Sequence, residues 1–413
     1  MCCVSTSSFS IKINGKAYGN IIPSRGLRQG DPLSPYLFLL CLEGFTSLLA
    51  KAEMENRIHG VSICRRALSI THLLFADDSL LFCQAKQEEV KVIMDTLQLY
   101  AKASGPCINM EKSSIYFSSN TMMEQGEWIK NNLGVKEVDR FESHLGLPTL
   151  MGHSKYQTFS FLKVRVWKKL QGWKGKLLSR AGKEVLIKSV AQLIPTSTMG
   201  VFQLPVKICN ELNAMCARFW WGQVGNERKI HWRSYDILST PKKERGMDFR
   251  NIQSFNLAII AKQGWRLMQG KDSLLFRCFK VKYLPRCGFL DVVDVPNSSF
   301  VWKSILATKE ILERGHCWRV GDRSTIWVIK DRWIPKHPTN KVIHMVLDKE
   351  WEWRVAELIG WSTHTWDSQY IEEKFHSDDA TAILRIPLSR RHIQDSTYWI
   401  HNRKGEYIVK SGY

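Results

Sequence analysis

Two adjacent carboxylates, Asp77 and Asp78, stand at the only polar break in the apolar run ALSITHLLFADDSLLFC, residues 67–83. The stretches on either side are β-type, so the segment reads as strand, tight turn and strand. Like charges this close repel, and a cation relieves them. Mg²⁺ takes carboxylate oxygens together with substrate phosphates, and a pair of such ions can clamp an in-line phosphoryl transfer. Asp is also a favoured turn residue, and such a turn can be plain solvated surface. Both readings stand on the pair alone. A second segment, Arg25-Gly26-Leu27-Arg28-Gln29-Gly30-Asp31-Pro32, runs into an apolar helix. A Gly-bearing basic loop at a helix start can bring N–H groups and cations to phosphates, with Gln29 bonding a nucleotide or a template base. The other reading is an ordinary loop with a capping Asp.

The elements that must position these groups follow from pattern. Phe9–Ile13 alternates and meets Asn14–Gly15, a hairpin turn. Pro35 suits the first turn of a helix of about 20 residues. Lys86–Ala103 places Val90, Ile93, Met94, Leu97, Tyr100 and Ala101 on one helical stripe, ended by Gly105–Pro106. A turn leads into the strand Ser114–Ser118, a helix spans about Met122–Leu133, and Phe141–Leu150 reads as a short strand and turn. Between Lys155 and Lys188 lie ten Lys or Arg and one acid, Glu184. Two amphipathic helices fit there, the second over about Ser179–Ile194, and a third over about Val206–Trp221. The pattern stays helical to about Tyr283, Ser299–Arg314 reads as one further helix, and CWRVGDRSTIWVIKDRW reads as a hairpin turning at Gly321–Asp322.

Composition bounds the rest. A chain of 413 residues suggests two or three domains and buries a core without staples. A net charge of +20 points to a polyanionic partner, nucleic acid first. An anionic membrane surface, or a basic protein with no such partner, are the other readings. The ten cations over Lys155–Lys188 could track a phosphate backbone or form a solvated face. Thirteen of the sixteen Trp lie from Trp220 onward. They could stack on bases or anchor a core. The eleven Cys show no C-x-x-C, and Cys278, Cys287, His316 and Cys317 fit no common zinc spacing. Asp378–Asp379 reads as a helix cap. No signal peptide or membrane-length apolar segment is present, which suits an intracellular protein, nuclear or cytoplasmic.

The segments RGLRQGDPLSPYLFLLCLE, LLFADDSLLFCQA, GPCINMEKSSIYFS and HLGLPTLMG, in this order and spacing, resemble motifs B, C, D and E of the reverse transcriptases of plant LINE-type (non-LTR) retroelements. The resemblance implies an α+β fold. A truncated polymerase palm with an antiparallel sheet would occupy 1–152, and a basic helical thumb 153–222. A Trp-rich mixed α/β connection region would fill 223–385, and the start of a zinc-binding segment 386–413. It implies an RNA-directed DNA polymerase chemistry in which a primer 3′-OH attacks the α-phosphate of a deoxynucleotide. Asp77 and Asp78 would hold Mg²⁺, with Phe75 and Ala76 against the primer end. Arg28, Gln29 and Gly30 would border nucleotide and template, Lys112 would lie near the triphosphate, and Leu145 and Gly146, after His144, would form the primer grip. The partners would be an RNA template, a DNA primer or RNA–DNA duplex, and deoxynucleotides, with no membrane. The family's motif A, which carries the other metal-binding Asp, lies upstream of a segment like CVSTSSFSIKING, where this sequence begins. The resemblance therefore implies a fragment lacking motif A and fingers, inactive as a polymerase, with no complete zinc site. A non-catalytic basic nucleic-acid-binding remnant is the alternative, and an intron-maturase-like protein a third reading.

Overall fold

Asn14 and Gly15 both take positive φ, 52° and 85°. This two-residue turn has the twist that joins antiparallel strands, and it pairs β1 (Phe9–Ile13) with β2 (Lys16–Ile21). The structure is a computed structural model that describes residues 8–22, 26, 30–105, 108–139, 143–149, 151–152, 154–174, 178–222, 229–321, 325–344, 353–360, 365–389 and 393–413. The chain forms two compact units, Met1–Glu142 and Ser143–Tyr413.

In the first unit, helix α1 (Ser34–Met54) carries Pro in its first turn, and the Asp31 carboxylate accepts from the Leu33 amide at 2.8 Å. Phe45, Leu49 and Ala52, spaced by four and three, bury one face of α1 together with Ile58. Strands β3 (Val61–Ser62) and β4 (Ser69–Ile70) pair, as do β5 (His72–Phe75) and β6 (Asp78–Leu81). Helix α2 (Gln87–Ser104) adds Ile93 to the core, and its Tyr100 ring stacks on Phe45 at 4.7 Å. Gly105, at φ 84°, ends α2 in the left-handed conformation that glycine tolerates. Strand β7 (Ser114–Ile115), helix α3 (Met123–Leu133) and strand β8 (Lys136–Glu137) complete the unit, with β7 and β8 parallel. The expected small antiparallel sheet is thus realised as separate two-stranded ladders, and one of them is parallel. The N-terminal half of α1 leaves Tyr36, Leu39 and Leu40 exposed.

The second unit opens with the hairpin β9 (Ser143–His144) and β10 (Leu147–Pro148). Helix α4 (Lys155–Lys174) buries Phe159, Leu162, Val166 and Leu170. Helix α5 (Arg180–Leu186) continues as a π-helical turn to Ala191. These pack with the short α6 (Thr196–Met199), α7 (Val206–Trp220) and α8 (Tyr235–Ser239) into one core. The side-chain amide of Asn256 is 1% exposed and locks this core. Its oxygen accepts from Leu204 N at 2.7 Å, and its nitrogen donates to the carbonyls of Met199 and Phe202, both at 2.9 Å. A second core joins α9 (Ile252–Met268), α10 (Leu274–Tyr283), α11 (Phe300–Leu306) and α12 (Lys309–Gly315) to Trp399 and Tyr407. The single helix expected over Ser299–Arg314 is therefore two, broken at Ala307–Thr308. A third core gathers Ile326, Trp333, Leu358, Ile371 and Ile383. Five described tryptophans, 220, 265, 302, 333 and 399, are buried, which favours the core reading for these rings.

Among the described residues, the hairpin expected to turn at Gly321–Asp322 is absent. Strand β11 (His316–Arg319) pairs instead with β12 (Ser396–Trp399), antiparallel, His316 opposite Trp399. Asp395 explains the choice. Its carboxylate accepts from Gly321 N at 2.8 Å and from Thr325 N at 3.0 Å, so Gly321 and Thr325 are both held by a side chain from beside β12. Asp322 lies outside the described residues.

Candidate functional site

Hairpin β5–β6 pairs His72 with Leu81, Leu73 with Leu80, Leu74 with Ser79 and Phe75 with Asp78. Ala76 and Asp77 form the two-residue turn, and Asp78 is already a strand residue. Alternation along the strands splits the hairpin into two faces. His72, Leu74, Ser79 and Leu81 share one, and Leu74 and Leu81 pack against the Phe45–Leu49 core. Leu73, Phe75, Asp78 and Leu80 share the other, on which Phe75 is 61% exposed. The hairpin is thus half open, with Leu73 and Phe75 exposed on the face away from the core. Ala76 holds φ at +49°. A side chain in that left-handed region costs about 1–2 kcal/mol, and such strain collects at functional turns.

Asp77 and Asp78 are both exposed. Among the described residues, neither carboxylate has a hydrogen-bond or ion-pair partner. Two exposed carboxylates on successive residues offer oxygens of the kind a hard dication takes, and leave the remaining coordination to water and phosphate. The donor chemistry therefore fits Mg²⁺. The exit of the hairpin is pinned by Glu89 in the first turn of α2. That carboxylate is 4% exposed and accepts from Gln84 N at 3.0 Å, His59 N at 3.0 Å and the His59 ring at 2.9 Å. Glu89 was not singled out by the sequence, where it is one of two adjacent acids at a helix start.

The other site residues are distributed. Gly30 lies just before α1 at φ 87°. Arg28 and Gln29 lie outside the described residues. Lys112 sits in the turn before β7, and its amide donates to Asn109 Oδ1 at 3.1 Å. Among the described residues, no hydrogen bond or ion pair joins Gly30 or Lys112 to the Asp77–Asp78 turn. Leu145 and Gly146 form the two-residue turn of β9–β10, both at positive φ, 52° and 74°. They belong to the second unit, where Arg165 Nη1 comes 4.0 Å from the place a Cβ would occupy on Gly146.

The second unit also carries the cations. Opposite the buried stripe of α4, Arg165, Trp167, Lys168 and Lys169 are exposed. Some positive charges are neutralised. Lys163 pairs with Glu211 at 2.6 Å, and both Lys188 and Lys242 pair with Glu184, at 2.8 and 2.9 Å. Others are not. Around the start of α5, which Ser179 caps through its hydroxyl, Arg180, Lys183 and Lys229 converge. Burial lowers the Lys183 pKa first, and the charges of Arg180 and Lys229 lower it further. Arg180 lies 5.5 and 5.4 Å from the Trp220 and Trp221 ring centroids, and the His231 ring stacks on Trp221. Beside them runs a groove of about 690 Å³ whose lining includes Asn210, Arg218, Lys229, His231 and Tyr235. The buried Trp221 Nε1 has no hydrogen-bond partner among the described residues. Clustered cations with aromatic faces suit a phosphate backbone with bases beside it.

Residues 2–165 match the reverse transcriptase (RNA-dependent DNA polymerase) family. A ribonuclease H-named protein of Arabidopsis thaliana is 28% identical over 275 residues, 65% of this chain and 44% of the relative. An uncharacterised mitochondrial protein of the same plant is 32% identical over 144 residues, 34% of this chain and 92% of the relative. The 149 kDa protein of transposon TX1 from Xenopus laevis is 26% identical over 250 residues, 59% of this chain and 18% of the relative. The chain belongs to the reverse transcriptase family and is a reverse transcriptase homologue of a retroelement. It spans less than half the length of the ribonuclease H-named relative. No helix among the described residues is long and apolar enough to cross a membrane.

Proposed function

We propose that this chain carries the motif B-to-E part of an RNA-directed DNA polymerase of a LINE-type retroelement, with the Asp77–Asp78 turn at the primer end. The observation that carries the reading is the turn itself: two exposed carboxylates without protein partners among the described residues, on a strained hairpin tip fixed at its exit by Glu89. Asp77 and Asp78 would hold Mg²⁺, which when bound supplies positive charge beside the phosphates of an incoming deoxynucleotide. Phe75 and Ala76 would support the primer terminus. Lys112, Arg28, Gln29 and Gly30 would serve the nucleotide and template, and Leu145–Gly146 the primer. The division into palm (1–152), thumb (153–222), Trp-rich connection (223–385) and a zinc-binding start (386–413) belongs to this proposal, as do RNA template and DNA primer as partners.

The Arg180–Lys183–Lys229 cluster favours a second reading, a basic nucleic-acid binder that performs no chemistry. One assay separates the two. The full chain is given an RNA template, an annealed DNA primer, Mg²⁺ and labelled deoxynucleotides, beside Asp77→Asn. Extension that disappears in the variant supports the polymerase. Absence of extension with salt-sensitive binding of the same template–primer supports the binder. Extension that survives Asp77→Asn overturns the assignment of the turn.

A further inference from the structure

The last third of the chain holds a cluster that no polymerase role uses. Helix α13 (Ser368–Lys374) precedes α14 (Ser377–Leu384), and His376 stands at the N-cap of α14. The segment after Trp333 brings His344 over it. The two imidazole rings stack with centroids 4.0 Å apart and planes 26° from parallel. One ligand atom each from His344, His376 and Asp378 lies within 4.8 Å of the others.

The group behind them is built. Asp379 is fully buried, and it is no cap of its own helix, which corrects the sequence reading of Asp378–Asp379. Its carboxylate accepts from Ile343 N at 3.3 Å and from His344 N at 3.0 Å. It also meets His344 Nδ1 at 3.0 Å and His337 Nε2 at 3.1 Å. A carboxylate that accepts a hydrogen bond from the Nδ1–H of a histidine leaves Nε2 with its lone pair outward, the arrangement that orients a metal-ligating imidazole. Two stacked rings and a carboxylate thus converge in front of a buried carboxylate.

We propose that His344, His376 and Asp378 bind a first-row transition-metal dication of the Zn²⁺ type, with Asp379 orienting His344. Two imidazoles and one carboxylate are a borderline donor set that selects such ions over Mg²⁺ or Ca²⁺. Three protein ligands leave a fourth position for water. The charges match as well: the carboxylates of Asp378 and Asp379 offset the charge of a dication. The bound ion fastens the 337–344 segment to the start of α14.

The test uses the full chain stripped of metal. Co²⁺ is titrated by visible absorption and Zn²⁺ by calorimetry, in the presence of excess Mg²⁺. The expected result is one equivalent bound with the absorption of a low-coordinate Co²⁺ site, and slower amide exchange in residues 337–344 by at least tenfold. His376→Ala abolishes the uptake and Asp378→Asn weakens it at least tenfold. Both residues are exposed, so neither change disturbs the core, and circular dichroism checks that. No stoichiometric uptake, uptake unchanged in folded His376→Ala or Asp378→Asn, or a thiolate-to-cobalt band in place of an imidazole site would each overturn the proposal.

Discussion

Glu89 offers a quantitative check on how the Asp77–Asp78 hairpin is held. Replacing it with Ala removes one carboxylate and strands three donors: the Gln84 amide, the His59 amide and the His59 ring. A buried donor left without an acceptor costs about 1–3 kcal/mol. The lost charge in the first turn of α2 adds about 0.3–1 kcal/mol. The His59 side chain is 47% exposed, so water replaces part of its loss. The net expectation is about 3 kcal/mol, and about half that for Glu89→Gln, which keeps one accepting oxygen. Because the chain has two units, a single global unfolding free energy is the wrong observable. Amide exchange of residues 72–84 reports the local opening. At tenfold per 1.4 kcal/mol, Glu89→Ala accelerates it about a hundredfold. Exchange at the wild-type rate, or an effect spread evenly over both units, would refute the idea that this carboxylate pins the hairpin.

Neutralising Arg180, Lys183 and Lys229 to Gln should lower the salt dependence of RNA binding by about 2 in the log–log slope, at about 0.7 for each phosphate left without its cation. Filter binding over a salt series reads it, and an unchanged slope places the RNA elsewhere on the surface. Glu184 has a depressed pKa because Lys188, and then Lys242, hydrogen-bond to its carboxylate. Its contribution to stability is therefore present above the ordinary carboxylate pKa and is lost as pH falls through the depressed value. Wild type and Glu184→Gln should differ most near neutrality and converge as pH drops from about 5 to 3, as followed by thermal melting. Gly315→Ala places a Cβ against the Trp399 ring and should destabilise the second unit by about 1–3 kcal/mol, visible as a lower melting temperature. An unchanged melt would mean the Trp399 ring moves freely.

Local signals were legible in the sequence. Asn14–Gly15 fixed a hairpin, the Val90–Ile93–Leu97–Tyr100 stripe a helix, and the polar break at Asp77–Asp78 a turn, because each depends on neighbours within a few residues. Two features could not be read that way. The Gly321 turn looks like a hairpin turn until Asp395, 74 positions on, takes its amide. Asp379 looks like a cap until the 337–344 segment folds over it. The candidate metal ligands His344 and Asp378 share no motif spacing, so only tertiary structure brings them together. Charge count located the basic region, but which cations keep their charge free was set by Glu184 and Glu211; Lys188 lies one turn from Glu184, whereas Lys242 and Lys163 reach these acids from elsewhere in the chain.

The pairing of β11 with β12 has a consequence for the order of assembly. The second core is closed by groups far along the chain. Gln269 reaches Thr397 across 128 positions, Tyr407 reaches Ala258 across 149, and Asn251 reaches Tyr413 across 162. Pairings of such separation form slowly, because loop closure is unfavourable before they repay it. During synthesis, helices α9 to α12 emerge with Trp265 made but without Trp399 and Tyr407 to cover it. A growing polypeptide would hold that aromatic surface open for the time needed to translate about a hundred further residues, several seconds at cellular rates. That interval is when the chain is most exposed to chaperones, to self-association, or to an RNA already bound on its basic face.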